Sequence, residues 1–136
     1  MEAKILLALS PSRRSGLLKM LESKNFQIFL ASNFQEAKQK LTGSISYDLL
    51  LADSELPDGS WHDLLQFILD SKKPCEVIVC SRCGDEGLWA EVLQCGAYDL
   101  LVEPYEREEV YRIVESCLDS RYMRRIVQLG RSVKAS

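Results

Sequence analysis

The sequence predicts an α/β fold, a doubly wound parallel sheet with helices on both faces, and three observations lead to it. Five short apolar runs alternate with amphipathic stretches along the 136 residues. The connections between them are short, and the sequence contains no internal repeat or low-complexity tract. The third run, residues 49–53, is apolar up to a final carboxylate, which is typical of a strand buried on both faces.

Each element follows from a local pattern in the sequence. The apolar runs predict strands at residues 5–10, 26–31, 49–53, 77–81 and 99–102. Residues that commonly begin helices, which are proline, small polar residues and aspartate, follow each predicted strand. The predicted helix starts are Pro11 with Ser12, Ser32 with Asn33, Gly59 with Ser60, Asp85, and the segment after Pro104. Asp53 then stands at the carboxyl end of the third strand, where open α/β sheets place their functional groups.

Length and composition indicate one ordinary globular domain. Hydrophobic residues make up 46% of the chain and charged residues 27%, and no apolar stretch approaches the ~18 residues of a membrane span. Five cysteines without a secretory signal favour reduced thiols, so a cytoplasmic location is expected. Cys80 and Cys83 match C-x-x-C, but no second pair follows at metal-ligand spacing, and no metal or redox site is predicted.

The charge distribution separates the C-terminal segment from the rest. The formal net charge is −3, and residues 120–136 carry five basic side chains and no acidic one, so residues 1–119 carry −8. We expect a domain at residues 1–119 followed by a basic helical extension or linker at residues 120–136. The last helix is expected to run from about residue 106 to about residue 129, and its apolar stripe predicts docking on a second copy or on an output domain.

Several positions in register resemble the receiver domain of bacterial response regulators. They are Asp53 at the phosphoacceptor position, Pro57, Ser81 at the hydroxyl position that contacts the phosphoryl group, the run Gly96-Ala97-Tyr98-Asp99, and the Pro104-Tyr105 pair. The resemblance covers residues 4 to about 118. It implies a flavodoxin-like fold with strand order 2-1-3-4-5 and five helices, a cis peptide before Pro104, and a role in two-component phosphorelay signalling.

Two departures from the family pattern affect the phosphate site. The acidic pair that holds Mg²⁺ in the family corresponds here to Leu9 and Ser10, or to Ala8 and Leu9 if the register shifts by one residue, and the lysine before the proline corresponds to Glu103. Mg²⁺ binding usually uses one or two carboxylates. At ~5 Å and an effective dielectric near 20, each like-charge pair with a phosphorylated Asp53 costs about 3 kcal/mol. The sequence therefore predicts a degenerate site, a pseudo-receiver.

Two rescues of the site remain open. Glu55 could ligate a metal together with Asp53 and Glu103, or Arg82 could take the place of the lysine. Otherwise, Glu55 and Glu103 point to solvent, and Asp53 accepts hydrogen bonds from loop amides. No cofactor is expected, and Mg²⁺ only if the site is rescued.

The preferred interpretation is a non-enzymatic signalling module that acts through the face formed by helix four, strand five and helix five. Tyr105 and either Trp89 or Val92, depending on helical phase, would lie on this face. The expected partners are another protein, an output domain of the same protein, or a second copy bound through the last helix. No membrane contact is expected, and nucleic acid only indirectly through an output domain.

Three alternatives stay open. The first is a working phosphoacceptor with a rearranged metal site. The second is a flavodoxin-like cofactor-binding protein, although the loop at residues 10–16 lacks a glycine-rich phosphate cradle and no nucleophile–base–orienter set is apparent. In particular, the only histidine, His62, is expected to lie on the surface without a partner. The third is nucleic-acid binding by the basic tail.

Overall fold

The computed structural model describes the backbone of residues 2–82 and 86–135, and side chains as far as Arg121. Strands and helices alternate five times, as predicted. In chain order they are β1 (Ala3–Ala8), α1 (Pro11–Glu22), β2 (Phe26–Ala31), α2 (Phe34–Thr42), β3 (Leu49–Asp53), α3 (Trp61–Asp70), β4 (Glu76–Ser81), α4 (Glu86–Gln94), β5 (Asp99–Val102) and α5 (Arg107–Ala135).

The five strands form one parallel sheet in the order β2-β1-β3-β4-β5, which confirms the expected fold. Strands β2, β3 and β5 have the predicted bounds, whereas β1 begins and ends two residues earlier than predicted. β3 is the central strand, and all five of its residues are buried. Asp53 therefore ends a strand that has a neighbour on each side.

Two apolar layers cover the sheet. One packs α2, α3 and α4 on one face, where Leu64, Ile68 and Val92 are essentially inaccessible to solvent. The other packs α1 and α5 on the opposite face, through residues that include Leu17, Leu21 and Val114. Because helices cover both faces, the uninterrupted apolar character of β3 is explained by burial from two sides.

Polar side chains define where the helices begin. The Asn33 side chain accepts a hydrogen bond from the Glu36 amide at 2.9 Å, and the Ser60 side chain accepts one from the Asp63 amide at 3.2 Å, so both are N-caps. The Asp58 carboxylate adds bonds from the amides of Phe34 and Gln35 at the start of α2. Asp58, the first residue of the Asp58-Gly59 pair, thus stabilises the start of α2.

An ion pair joins the amino end of β3 to α5. Arg121 Nη1 lies 2.8 Å from Asp48 Oδ1, and Arg121 Nε donates to the Pro74 carbonyl oxygen. The other Asp48 oxygen accepts the Lys4 amide at 2.8 Å. We call Asp48 and Arg121 the basal pair. It attaches α5 to the sheet at the end opposite Asp53.

Candidate functional site

Asp53 lies at the carboxyl end of β3 and is completely buried. Its Oδ1 accepts a hydrogen bond from the Glu55 amide at 2.9 Å, so a loop amide contacts this carboxylate, as one of the open alternatives had it. The cross-strand partner of Asp53 on β4 is Cys80, and Ser81 follows Cys80 at the end of β4. The ends of the central strands therefore place a carboxylate and a hydroxyl residue close together.

Sequence reasoning missed the main partner of Asp53, which is Arg13 in the first turn of α1. Arg13 Nε lies 2.5 Å from Asp53 Oδ2, in a charge-assisted hydrogen bond. Only 8% of the Arg13 side chain and none of the Asp53 side chain is accessible to solvent. The pocket therefore contains a cation that sequence reasoning did not indicate, Arg13, in addition to the exposed Arg82.

The same guanidinium also contacts the carboxylates of Glu55 and Glu103. Arg13 Nη1 lies 3.4 Å from Glu55 Oε2 and 4.0 Å from Glu103 Oε1. Glu55 is more than half exposed and also contacts Arg82 Nε at 3.3 Å. Glu103 is about one-third exposed. Both glutamates therefore face Arg13 from the rim of the pocket, and Arg82 pairs with Glu55. We call Arg13, Asp53, Glu55 and Glu103 the apical cluster.

The Arg13 guanidinium is held in its charged form. Burial alone would lower the pKa of Arg13, but the hydrogen bond and the charge of Asp53, with smaller contributions from Glu103 and Glu55, raise it above its ordinary value. Arg13 Nη2 is buried without a hydrogen-bond partner among the described residues. The guanidinium thus uses Nε and Nη1 to contact carboxylates and leaves one buried donor unsatisfied.

The residues do not fit a magnesium site of the family type. Leu9 is fully buried among the apolar side chains between the sheet and α1, and Ser10 is the N-cap residue of α1. Neither supplies a carboxylate, and one oxygen of Asp53 is already bonded to Arg13. Within residues 2–82 and 86–121, no cluster of three or more histidine, cysteine, aspartate or glutamate side chains is arranged to hold a metal ion.

Ser81 and Tyr105 complete the surroundings of the apical cluster. Ser81 is 5% exposed. The Tyr105 hydroxyl is buried without a hydrogen-bond partner in the described part of the chain, and burial raises the pKa of this phenol above its ordinary value. Burial likewise raises the pKa of the Cys80 thiol, and the Asp53 charge adds to the effect. The peptide between Glu103 and Pro104 is cis, as expected.

The structure decides the phase of α4. Val92 is fully buried against the sheet, whereas half of Trp89 is exposed, and Trp89 Nε1 donates to Asp99 Oδ1 at 3.3 Å. Of the two residues expected on the face of helix four, strand five and helix five, Trp89 is therefore on the surface. Tyr105 is only partly exposed and packs against the α1 and α5 layer.

The expectation that His62 has no partner is wrong. His62 Nε2 lies 2.7 Å from Glu91 Oε1, and His62 Nδ1 lies 3.6 Å from Cys95 Sγ. His62 is at the start of α3, Glu91 is in α4 and Cys95 directly follows α4, and the two helices cover the same face of the sheet. They are 29 and 33 positions from His62 in sequence, so local pattern reading could not connect them.

Comparison with known proteins identifies the family. Residues 10–115 match the response regulator receiver domain family model. The chain belongs to this family. It is 32% identical to the transcriptional regulatory protein DpiA of Escherichia coli K12 over 83 residues, which are 60% of this chain and 36% of DpiA. It is 24% identical to the chemotaxis protein CheY of Listeria monocytogenes over 103 residues, 75% of this chain and 86% of CheY.

Solved structures support the same fold. A CheY-like receiver domain protein from Methanospirillum hungatei superimposes with a TM-score of 0.80 at 18% identity, covering 91% of this chain and 99% of that one. NtrX from Brucella abortus gives 0.86 at 20% identity, covering 94% of this chain and 30% of NtrX. The aligned region spans about a third of DpiA, so the activities of such longer relatives are not carried over directly. In the described residues, no helix is long and apolar enough to cross a membrane.

Proposed function

We propose that this receiver domain signals through protein contacts, without a stable aspartyl phosphate on Asp53. The observation that supports the proposal is the buried ion pair between Arg13 and Asp53. Arg13 donates a hydrogen bond to Asp53 Oδ2, which is one of the two oxygens through which this carboxylate could bind a metal ion or attack a phosphorus atom. The charge-assisted hydrogen bond to Arg13 must break before this oxygen of Asp53 can act as a nucleophile.

The charge balance at the apical cluster also disfavours an added phosphoryl group. Asp53, Glu55 and Glu103 all lie within 4.0 Å of one guanidinium, and among the described side chains only Arg82, at Glu55, supplies a second cation. A phosphorylated carboxylate would carry a charge of about −2. The family resemblance places a divalent cation and a lysine at such a site, whereas this chain has one buried arginine and a glutamate in the lysine position. The phosphorylated form would therefore be destabilised by like-charge repulsion.

The proposed working surface is the face formed by α4, β5 and α5. The half-exposed Trp89 side chain offers a large apolar contact, and aromatic residues are enriched at protein interfaces. Residues 1–119 would form the signalling domain and residues 120–136 a helical extension that leads to an output domain or a second copy. A receiver domain dimer has been solved for NtrC4, which is 21% identical to this chain. On this proposal the domain is a cytoplasmic, non-enzymatic partner of other proteins.

The proposal is tested by incubating the full chain with acetyl phosphate and Mg²⁺ and measuring its intact mass. We expect no stoichiometric phosphoryl adduct on the wild-type chain. A receiver domain that forms an aspartyl phosphate under the same conditions serves as the positive control. The matched variant combines Ser10→Asp, Arg13→Ala and Glu103→Lys, which restores a carboxylate after β1 and a lysine before Pro104 and removes the blocking guanidinium.

An adduct on the restored variant but not on the wild type would support the proposal. A stoichiometric adduct on the wild-type chain that disappears in Asp53→Ala would overturn it in favour of a working phosphoacceptor. In that case Arg13 would have to move away from Asp53 to admit the phosphoryl group.

A further inference from the structure

We propose that Cys95 is a nucleophilic thiol that His62 and Glu91 activate for exchange with a small-molecule disulfide. These three residues form the thiol cluster between α3 and α4. The cluster is built by different elements from those that build the apical cluster, so this inference is independent of the function proposed for Asp53. It concerns a site of covalent modification by low-molecular-weight disulfides.

The three side chains stand in the order of nucleophile, base and orienter. Cys95 Sγ lies 3.6 Å from His62 Nδ1, within the range of an S–H···N hydrogen bond, and His62 Nε2 lies 2.7 Å from Glu91 Oε1. A carboxylate can only accept, so Nε2 must carry the proton that is donated to Glu91. In the neutral imidazole, Nδ1 then has the lone pair and points it at the thiol. This is the arrangement that a general base for cysteine needs.

The imidazole is oriented by a second contact besides Glu91. The His62 ring stacks on the Trp61 indole with ring centroids 3.7 Å apart and an angle of 25° between the planes. Trp61 is only 5% exposed and is part of the apolar layer beneath α3. A buried indole on one side and a carboxylate at Nε2 restrict both the tilt and the rotation of the imidazole. The orientation of Nδ1 toward Cys95 is therefore supported by packing as well as by hydrogen bonding.

The proposed reaction is thiol–disulfide exchange, which needs no other reactant. His62 Nδ1 takes the proton from Cys95 Sγ, and the thiolate attacks one sulfur of the small disulfide. A new S–S bond forms as the old one breaks, and the leaving thiolate receives the proton from the imidazolium. Cys95 is oxidised to a mixed disulfide while one half of the reagent is reduced to a thiol. Atoms, charge and electrons balance.

Accessibility separates Cys95 from the other described cysteines. Cys80 and Cys117 are fully buried. Burial raises the pKa of the Cys75 thiol to about 12, so Cys75 carries almost no thiolate at neutral pH. Cys95 is partly exposed, and its neighbours His62 and Glu91 are each about half exposed. A dissolved reagent can therefore reach this thiol without unfolding the domain.

The test is to react the folded full chain with oxidised glutathione at pH 7, following adducts by intact mass and locating them by peptide mapping. We expect the first glutathionyl adduct on Cys95. His62→Gln should slow its formation by about tenfold or more, less than the 10²–10⁴ typical of enclosed active sites because this cluster is half exposed. Glu91→Gln should give a smaller decrease, since the amide oxygen still accepts from Nε2 but carries no charge.

Two controls separate activation from a general change in structure. Glu86→Gln removes another exposed carboxylate of α4 and should leave the rate unchanged. Thermal unfolding should show that His62→Gln remains folded at the reaction temperature. Equal rates for Cys95 in the wild type and His62→Gln would overturn the proposal. Preferential modification of a different cysteine, including Cys83, which lies outside the described residues, would also overturn it.

Discussion

The two ends of strand β3 use the same chemistry for different purposes. Asp48 immediately precedes the strand and Asp53 ends it, so about 17 Å separates their α-carbons. Each is paired with an arginine from the helical layer on the same face of the sheet, Arg121 of α5 at the amino end and Arg13 of α1 at the carboxyl end. The two pairs differ in their remaining partners.

The basal pair is locally balanced and well bonded. One acid meets one base, Asp48 also accepts the Lys4 amide, and Arg121 also donates to the Pro74 carbonyl oxygen. In the apical cluster, one guanidinium faces three carboxylates and retains a buried donor without a described partner. Ion pairing at the base therefore joins elements of the fold, whereas at the apex one guanidinium is shared among three carboxylates at the end of the central strand.

The largest expected effect is at the apex. Arg13→Met should lower the free energy of unfolding by about 3–5 kcal/mol, because it leaves the buried Asp53 carboxylate without its cation. Urea unfolding with an unchanged m-value would measure it. Arg14→Met, at the adjacent residue whose guanidinium donates to Ser32 Oγ, is the control and should cost less than about 1 kcal/mol. Equal losses for the two variants would contradict the role given to Arg13.

The basal pair should contribute less. Arg121→Met removes the bonds to Asp48 and Pro74, but Asp48 is partly exposed and keeps the Lys4 amide, so we expect a loss of about 1.5–3 kcal/mol. Arg112→Met on the exposed side of α5 is the matched control and should be nearly neutral. A loss equal to that of Arg13→Met would remove the proposed difference between the two ends.

The third effect is absent at neutral pH, where it is the smallest of the three, and develops only at alkaline pH, with the same sign at both ends. Burial raises the pKa of Cys75, near the base, from 9.0 to about 12, so the folded chain keeps this proton while the unfolded chain loses it. Stability should therefore fall as pH rises from about 9 to about 12, by up to about 1.4 kcal/mol per pH unit for this thiol. Urea unfolding of Cys75→Ala across this range should show a shallower decline.

Cys80 gives the comparison at the apex, because burial and the Asp53 charge raise its pKa as well. Cys80→Ala should also reduce the alkaline decline, and the double variant should reduce it further than either single variant. An unchanged slope in both single variants would show that the decline comes from other groups.

Much of the fold follows from local sequence patterns. The consecutive apolar residues of β3 predict its burial on two faces. Asn33 and Ser60 mark helix starts, because their side chains accept hydrogen bonds from amides three positions ahead. The position of Asp53 follows directly, since the end of a central strand is also the end of its apolar run.

The site itself could be predicted only in part, because its decisive contacts span long sequence separations. Arg13 is 40 positions from Asp53, and nothing near Arg13 in the sequence indicates its partner. One signal was available. Arg13 and Arg14 stand in the first turn of α1, which has no acidic residue, and the helix dipole disfavours cations there. Two arginines in such a position indicate a carboxylate from elsewhere in the fold.

Helix α5 continues for fourteen residues beyond Arg121, to Ala135. At 1.5 Å per residue this is a rod of about 21 Å, and the basal pair clamps it where it leaves the sheet. A partner bound at the end of α5 would therefore lie on the opposite side of the molecule from Asp53. A small change in tilt at the clamp would be magnified at the tip, as a lever turns a short movement at its pivot into a longer one.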